Sequence, residues 1–146
     1  MKNQIKEVHV IKINSNNHTF KMSQHNESIT ICESGDIVTF ETLDCFCNCL
    51  LPESAIFGVD NPKYSNPASG PLHIKGAKYG DTLAVDILDI KLGEVGIHVS
   101  GPVNKIFDDW VKDFKINRMR VENDIVRLTS KLTISSKPMV GIIGVA

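Results

Sequence analysis

The sequence predicts an all-β protein, a β-sandwich-like domain with one or two short helices. Short segments rich in β-branched and aromatic residues recur along the chain, as is typical of strands. Gly-Asp and Asn-Asp pairs, which favour tight turns, precede or separate several of these segments. The chain has 146 residues, of which 42% are hydrophobic, and this is enough for the core of one domain. We therefore predict that residues 1–146 form a single domain.

Four strand-like segments and one long loop are predicted in the first half. The strand-like segments are residues 8–13, 29–31, 37–42 and 72–74. The stretch 50–71 holds four of the six prolines and several Asn, Ser and Gly residues, which predicts a loop. A loop of that length is uncommon in a compact domain and is often functional.

A turn followed by a strand-like segment occurs twice in the sequence. Ser34-Gly35-Asp36 precedes residues 37–42, and Tyr79-Gly80-Asp81 precedes residues 82–89. The two copies also share a leucine, a second aspartate and an acidic residue at matching positions. Two copies are too few for a solenoid, so we predict two similarly built strands of one sheet system.

The second half predicts a helix, a hairpin and an apolar end. Ile106, Trp110 and Phe114 fall at helical spacing, which predicts a helix over residues 104–114. Residues 116–121 and 125–134 read as strands joined by a turn that contains an Asn-Asp pair. Residues 138–146 are nearly all apolar, whereas natural chain ends tend to be polar. We predict a core strand whose continuation is missing; the alternative is a buried final strand.

Charge and hydropathy exclude several classes of protein. The formal net charge is -1, with 16 basic and 17 acidic side chains, so nucleic acid is not an expected partner. No run of about 18 apolar residues is present, which argues against a membrane span. The first residues lack the continuous apolar core of a signal peptide, so a cytoplasmic location with reduced cysteines is expected.

Three of the four cysteines, Cys45, Cys47 and Cys49, alternate within five residues. On a continuing strand their side chains would share one face, and a thiolate site for zinc or copper is one interpretation. Side chains two residues apart in a strand are about 7 Å apart, too far for one tetrahedral ion. We therefore favour core cysteines for these three and for Cys32.

The prolines and glycine of residues 65–71 predict a rigid turn. Such a turn can direct Asn66 or backbone N–H groups toward a ligand, although composition alone favours a structural role. The five histidines are scattered and none is at metal-ligand spacing. The sequence contains no nucleophile elbow, P-loop or dinucleotide-binding motif.

Four blocks of sequence together resemble the acetamidase/formamidase family of amide hydrolases. They are residues 35–46, which lead into Asp44-Cys45-Phe46, the Asn-Pro-Ala-Ser-Gly-Pro segment 66–71, residues 76–90 and residues 138–146. The second block is close to the family's Asn-Pro-Ala-Thr-Gly-Pro. The order and spacing of the blocks match, and the resemblance covers most of residues 8–146.

The resemblance implies hydrolysis of short amides such as formamide or acetamide to acid and ammonia. It also implies a β-sandwich-like fold and a divalent metal ion, zinc or calcium, which would polarise the amide carbonyl or activate water. Asp44 matches an acidic site residue of the family, and Asn66 matches its turn asparagine. Asp44 and Asn66 are thus the candidate catalytic residues, and Asp44 is also the candidate metal ligand.

Three departures from the family bear on activity. Asn48-Cys49 stands where the family usually has Gly-Gln, and residues 100–103 lack the family's glycine-rich motif. The family also continues beyond the fourth block into a metal-binding segment with Asp and His. We therefore predict the N-terminal part of an amide hydrolase, either half of a split enzyme or an incomplete remnant.

Such a part would need a partner besides its small amide substrate, either a second copy or a separately encoded C-terminal half, contacted through residues 138–146. Two alternatives are a non-catalytic β-sandwich module that binds a partner or ligand and a cysteine-based metal-binding protein.

Overall fold

The computed structural model describes residues 8–102 and 109–145. These residues form ten strands: β1 Val10–Ile13, β2 His18–Thr19, β3 Thr30–Cys32, β4 Ile37–Phe40, β5 Ala68–Ser69, β6 Leu72–Ile74, β7 Val95–Ser100, β8 Lys115–Glu122, β9 Ile125–Arg127 and β10 Thr133–Ser135. The prediction of an all-β chain is confirmed. The prediction of helices is not, because the described residues contain none. Residues 109–114 form a turn and irregular backbone, while residues 104–108 of the predicted helix lie outside the described ranges.

The chain divides into two compact units. The first comprises Met1–Leu43, Asn66–Val85 and Ile142–Ala146, and the second comprises Asp44–Ser65 and Asp86–Gly141. Neither unit has a helix, within the described residues, that is long and apolar enough to cross a membrane.

Three two-stranded sheets make up the described part of the first unit. β1 pairs with β4 and β3 pairs with β6, both in parallel, whereas β2 and β5 pair antiparallel. The β1–β4 register runs from Val10 opposite Ile37 to Ile13 opposite Phe40. Backbone hydrogen bonds continue this ladder past both ends, from the Ile37 N–H to the His9 carbonyl at 3.0 Å and from the Glu41 N–H to the Ile13 carbonyl at 2.8 Å.

The Gly-Asp turn that repeats in the sequence also repeats in the structure. In the first copy the Asp36 carboxylate accepts from the Glu33 N–H at 2.7 Å, and the Asp36 N–H donates to the Glu33 carbonyl at 3.1 Å. The corresponding distances between Asp81 and Lys78 are 2.8 and 3.0 Å. The glycine before each aspartate has a φ of +94° or +92°, which a residue with a Cβ rarely adopts.

The two copies differ after the turn. The first leads into β4, which pairs with β1. The second leads into residues 82–89, where a strand is predicted and none is found, because no described strand lies beside them. The prediction of two similar strands is therefore correct for residues 37–40 and wrong for residues 82–89.

The second unit contains one antiparallel sheet with the order β10-β9-β8-β7. The predicted hairpin joins β8 to β9 through Asn123 and Asp124, whose φ values of 49° and 59° are left-handed. The predicted single strand 125–134 is instead β9 and β10, separated by a turn. In this turn the Thr129 hydroxyl accepts hydrogen bonds from the N–H groups of Lys131 and Leu132, at 3.2 and 3.0 Å.

The buried apolar core of the described residues is small. Its side chains are Ile13, Cys32 and Leu50. The chain exposes 12173 Å² in total, whereas a folded monomer of 16.1 kDa exposes about 7,400 Å² by the usual scaling with mass. The exposed area is thus about 4,800 Å² larger than this scaling gives, in agreement with the small core.

The apolar end contributes to this exposed surface. Residues 138–145 form no strand, and Met139, Ile143 and Val145 are exposed. Neither the predicted strand nor its buried alternative is therefore found in the described part of this segment.

The paired Gly-Asp turns generate a stability prediction. Asp36→Ala should lower the free energy of unfolding by about 1–2 kcal/mol, because Asp36 also accepts from the His9 N–H beside β1, at 3.3 Å. The matched Asp81→Ala should lower the free energy of unfolding by less, because among the described residues the Asp81 carboxylate bonds only the backbone of its own turn. Urea unfolding of both variants measures the difference, and equal losses would contradict the prediction.

Candidate functional site

Asp44 starts the turn that follows β4, in the second unit. Its Oδ1 accepts hydrogen bonds from the Phe46 N–H at 2.9 Å and the Asn48 N–H at 2.7 Å. The Asn48 side chain reciprocates, because its Oδ1 accepts from the Asp44 N–H at 3.0 Å. The Cys47 N–H donates to the Asp44 carbonyl at 3.0 Å. These bonds hold the Asp44 carboxylate in one orientation.

The second oxygen of the Asp44 carboxylate is differently placed. Oδ2 is buried and has no hydrogen-bond partner among the described residues. A carboxylate accepts hydrogen bonds through both oxygens, and a buried acceptor without a donor is costly. Oδ2 is therefore available to accept a hydrogen bond from a ligand or to bind a cation.

Asn48 explains one departure from the family resemblance. Cys47 and Asn48 both have left-handed backbone, with φ values of 55° and 61°. Glycine adopts this conformation most readily, and asparagine is among the few other residues that tolerate it. Asparagine at a position where the family usually has glycine thus preserves the turn, and its side chain adds a hydrogen bond to Asp44.

Arg118 of β8 holds the loop that continues from the Asp44 turn. Its guanidinium donates to four backbone carbonyls: those of Leu50 and Leu51, both at 3.1 Å, that of Pro52, and that of Ala55 at 3.4 Å. The Leu50 side chain is 0% exposed. Because an arginine side chain is always charged and carries five donors in a rigid plane, it can satisfy several carbonyls at once.

Three aromatic rings form a second contact between this loop and the rest of the unit. Phe46 meets Phe57 edge to face, with centroids 6.1 Å apart, and Phe57 lies 4.6 Å from Phe114. The Phe114 ring covers Gly101, where an added Cβ would lie 2.8 Å from the Phe114 Cγ. A glycine is therefore required at position 101 as the ring is placed.

The three clustered cysteines are not core residues. Cys45 and Cys49 are exposed and Cys47 is half-buried, so the core interpretation is wrong for them and correct for Cys32. They lie in turns, where the alternation of a strand does not apply. Burial raises the pKa of the Cys45 thiol, and the adjacent Asp44 carboxylate raises it further.

Cys47 is shifted in the same direction. Partial burial raises the pKa of its thiol, and the nearby Cys49, Asp44 and Cys45 add to the effect. Protonated thiols are weak nucleophiles and weak metal ligands. The structure therefore favours neither thiolate catalysis nor a thiolate metal site at this turn.

Asn66 belongs to the rigid turn of the first unit. It is exposed, with a left-handed φ of 58°. The Ser69 hydroxyl donates to the Glu41 carbonyl at 2.7 Å, and the Gly70 N–H donates to the Asn17 carbonyl at 3.0 Å. These bonds agree with the rigidity predicted for residues 65–71. Asp44 and Asn66 lie in different units, so the structure describes their surroundings separately.

The described residues do not by themselves make a metal site. They contain no group of three His, Cys, Asp or Glu side chains that could hold an ion. Structural zinc sites take four ligands and calcium takes six to eight. Asp44 Oδ2 offers one oxygen, so the expected zinc or calcium ion would need its other ligands from elsewhere.

Two solved structures are similar to this chain. The crystal structure of an acetamidase from Bacillus halodurans is 33% identical, with a TM-score of 0.83 over 90% of this chain and 45% of that chain. A predicted acetamidase/formamidase from the thermophile Thermoanaerobacter tengcongensis is 30% identical, with a TM-score of 0.84 over 96% of this chain and 46% of that one. No protein-family model and no curated protein matches the chain.

These likenesses confirm the predicted resemblance to the acetamidase/formamidase family. The chain spans less than half the length of each similar structure, and the match is consistent with an N-terminal part.

Sequence reasoning missed two residues of this site. Asn48 could have been recognised as the partner of Asp44, because Asp and Asn side chains commonly bond backbone groups in short turns. Arg118 had no such signal, since the carbonyls that it holds are 63 to 68 residues away in the sequence.

The Arg118 contacts predict that Arg118→Met lowers the free energy of unfolding by about 2 kcal/mol, because it leaves several carbonyls without their charged donor. Hydrogen exchange of residues 50–55 should accelerate with it. Arg120→Met is the matched control on the same strand, since Arg120 forms an exposed ion pair with Glu122 at 2.8 Å and should change stability by less than about 0.5 kcal/mol. Equal effects of the two substitutions would contradict the prediction.

The raised thiol pKa values predict slow alkylation. Cys45 should react with iodoacetamide with a pH midpoint above the value of about 8.5 that is typical of a free cysteine. Asp44→Asn should lower that midpoint, because it removes the neighbouring negative charge. Mass spectrometry of the labelled peptide measures both rates, and a midpoint near neutral pH would be inconsistent with the structure.

Proposed function

We propose that this chain supplies part of the active site of an amide hydrolase, which converts short amides such as formamide or acetamide to a carboxylate and ammonia. The family likeness supports the reaction class. One observation carries the proposal: the Asp44 carboxylate is held through Oδ1 by two backbone N–H groups, while its buried Oδ2 has no partner among the described residues.

This arrangement suits a general base. In the proposed reaction Asp44 Oδ2 takes a proton from water as the water oxygen adds to the amide carbonyl carbon. The C–N bond then breaks, and the proton passes to the leaving nitrogen, which departs as ammonia. The backbone donors on Oδ1 keep the carboxylate in position throughout, as catalysis by a placed group requires.

Asn66 is proposed to orient the substrate. Its side-chain amide has both a donor and an acceptor, as has the substrate amide, and the turn 65–71 restricts the backbone that carries it. A divalent metal ion, zinc or calcium, remains part of the family expectation, with Asp44 as one ligand. The described residues do not complete such a site, and the steps proposed for Asp44 do not require one.

The remaining groups of the site are proposed to come from outside these 146 residues, because the chain spans 45–46% of the length of the similar structures. The partner is a second copy or a separately encoded C-terminal half, and the exposed apolar residues 138–145 contact it. The four cysteines are not joined in disulfides, which is compatible with a reducing, cytoplasmic location.

A non-catalytic binding module is the second candidate. Its support is the extent of exposed apolar surface together with the absence of a complete metal site in the described residues. Such a module would bind a partner without releasing ammonia, so activity of the assembled protein separates the two functions.

The proposed function predicts that the 146-residue chain alone releases little or no ammonia from formamide or acetamide. The groups of an active site act as a unit, so a site that lacks some of them loses most of its activity. Mixed with the missing half of a similar acetamidase, it should release ammonia at a measurable rate. Asp44→Asn should lower that rate by about 100-fold or more.

The control is Asp60→Asn. Asp60 also closes a turn, accepting from the Ile56 N–H at 2.7 Å, but is exposed and should leave the rate within about twofold. Full activity of the Asp44→Asn mixture would exclude Asp44 as the base.

A further inference from the structure

Residues 82–85, here called the open segment, are the structural counterpart of β4. They follow the second Gly-Asp turn as β4 follows the first, so that Thr82 corresponds to Ile37 and Val85 to Phe40. β4 pairs along its length with β1. No backbone hydrogen bond between described residues involves the open segment, and all four of its side chains are exposed.

The two turns indicate how the missing strand would bind. In the first, Asp36 Oδ2 closes the turn and Oδ1 accepts from the His9 N–H, one residue before β1. In the second, Asp81 Oδ2 closes the turn, and Oδ1 has no donor among the described residues. Asp81 therefore presents the same acceptor that Asp36 uses to hold the start of a parallel strand.

The side chains of the open segment fit the same role. Leu83 and Val85 lie on one face of the predicted strand and are 45% and 52% exposed. An apolar strand edge with unpaired backbone groups readily binds another extended chain.

We infer that the open segment binds a parallel β-strand. The strand comes from the polypeptide that corresponds to the part of the similar acetamidase structures that this chain does not match. The bound strand resembles β1, whose sequence is Val-Ile-Lys-Ile, and a backbone N–H just before it donates to Asp81 Oδ1. The identity of the bound strand rests on the proposed function. The observation that the backbone of the open segment is unpaired is independent of that function.

A second copy of this chain fits less well. Two-fold dimers place the same segment of both copies together, and strands joined in this way are antiparallel. The Asp36 turn and β1 instead define a parallel pair in which the two strands differ in sequence. The geometry therefore favours a strand of different sequence over the same segment of a second copy.

Hydrogen exchange of the full 146-residue chain, alone and mixed with the uncovered remainder of the Bacillus halodurans acetamidase, tests the inference. A 1:1 complex should form, and the amides of Thr82 and Ala84 should exchange at least about tenfold more slowly in it. These amides match those of Ile37 and Thr39, which face β1 in the parallel register. Absence of a complex, or a complex without this protection, would overturn the inference. Protection of these amides in the free chain that increases with its concentration would also overturn it, because it would indicate pairing between copies.

Two variants separate binding from folding. Ala84→Pro removes one backbone donor and Val85→Lys places a charge on the apolar face, and each should weaken the complex at least about tenfold. Leu132→Lys is the control, because Leu132 is 51% exposed in the turn between β9 and β10 and should leave affinity unchanged. Free Val85→Lys should unfold at the same urea concentration as the parent chain, and equal binding of all three variants would refute the inference.

Ammonia release in the same mixtures distinguishes this inference from the proposed function. A complex that protects the open segment but releases no ammonia supports strand binding and contradicts the hydrolase proposal. Ammonia release from a complex in which the open segment exchanges freely supports the hydrolase proposal and overturns strand binding.

Discussion

The contact between the Arg118 guanidinium and the backbone carbonyls of residues 50–55 positions the candidate site of the second unit. These residues continue directly from the Asp44 turn, and Leu50 is the only fully buried side chain of the described residues in this unit. Burial of one leucine contributes about 2 kcal/mol, which is small against the cost of ordering a loop of this length. A charged donor that bonds several carbonyls at once supplies the remaining restraint on this loop, while hydrogen bonds within the Asp44 turn orient the carboxylate itself.

The small core and the large exposed surface have one physical explanation. A sheet of two strands is marginally stable by itself, and three of the four described sheets have only two strands. The open segment adds unpaired backbone, although an equivalent turn elsewhere in the same chain leads into a paired strand. The proposed chemistry at Asp44 and the proposed strand binding at residues 82–85 are separate properties, and in both proposals the part of the similar structures that this chain does not span supplies the remaining groups.

Local sequence patterns predicted much of this fold. The strands near residues 10, 30, 37 and 72, both Gly-Asp turns and the Asn123-Asp124 hairpin depend on residues adjacent in sequence, so composition identifies them. The errors have a different origin. Residues 82–89 have strand-forming residues but no neighbour to pair with, and Cys45, Cys47 and Cys49 lie in turns because Asp44 and Asn48 bond each other's backbone.

The sequence by itself determined the all-β class, the family resemblance and Asp44 as the principal candidate, because these rest on residue types and on motifs within a few positions. The tertiary structure alone decided which oxygen of Asp44 has no partner, that Arg118 holds the neighbouring loop, and that only one of two similar strand segments is paired. The Arg118 contacts and the strand pairing join groups far apart in the sequence, and these hydrogen bonds, like the burial of Asp44 Oδ2, exist only when the chain has folded.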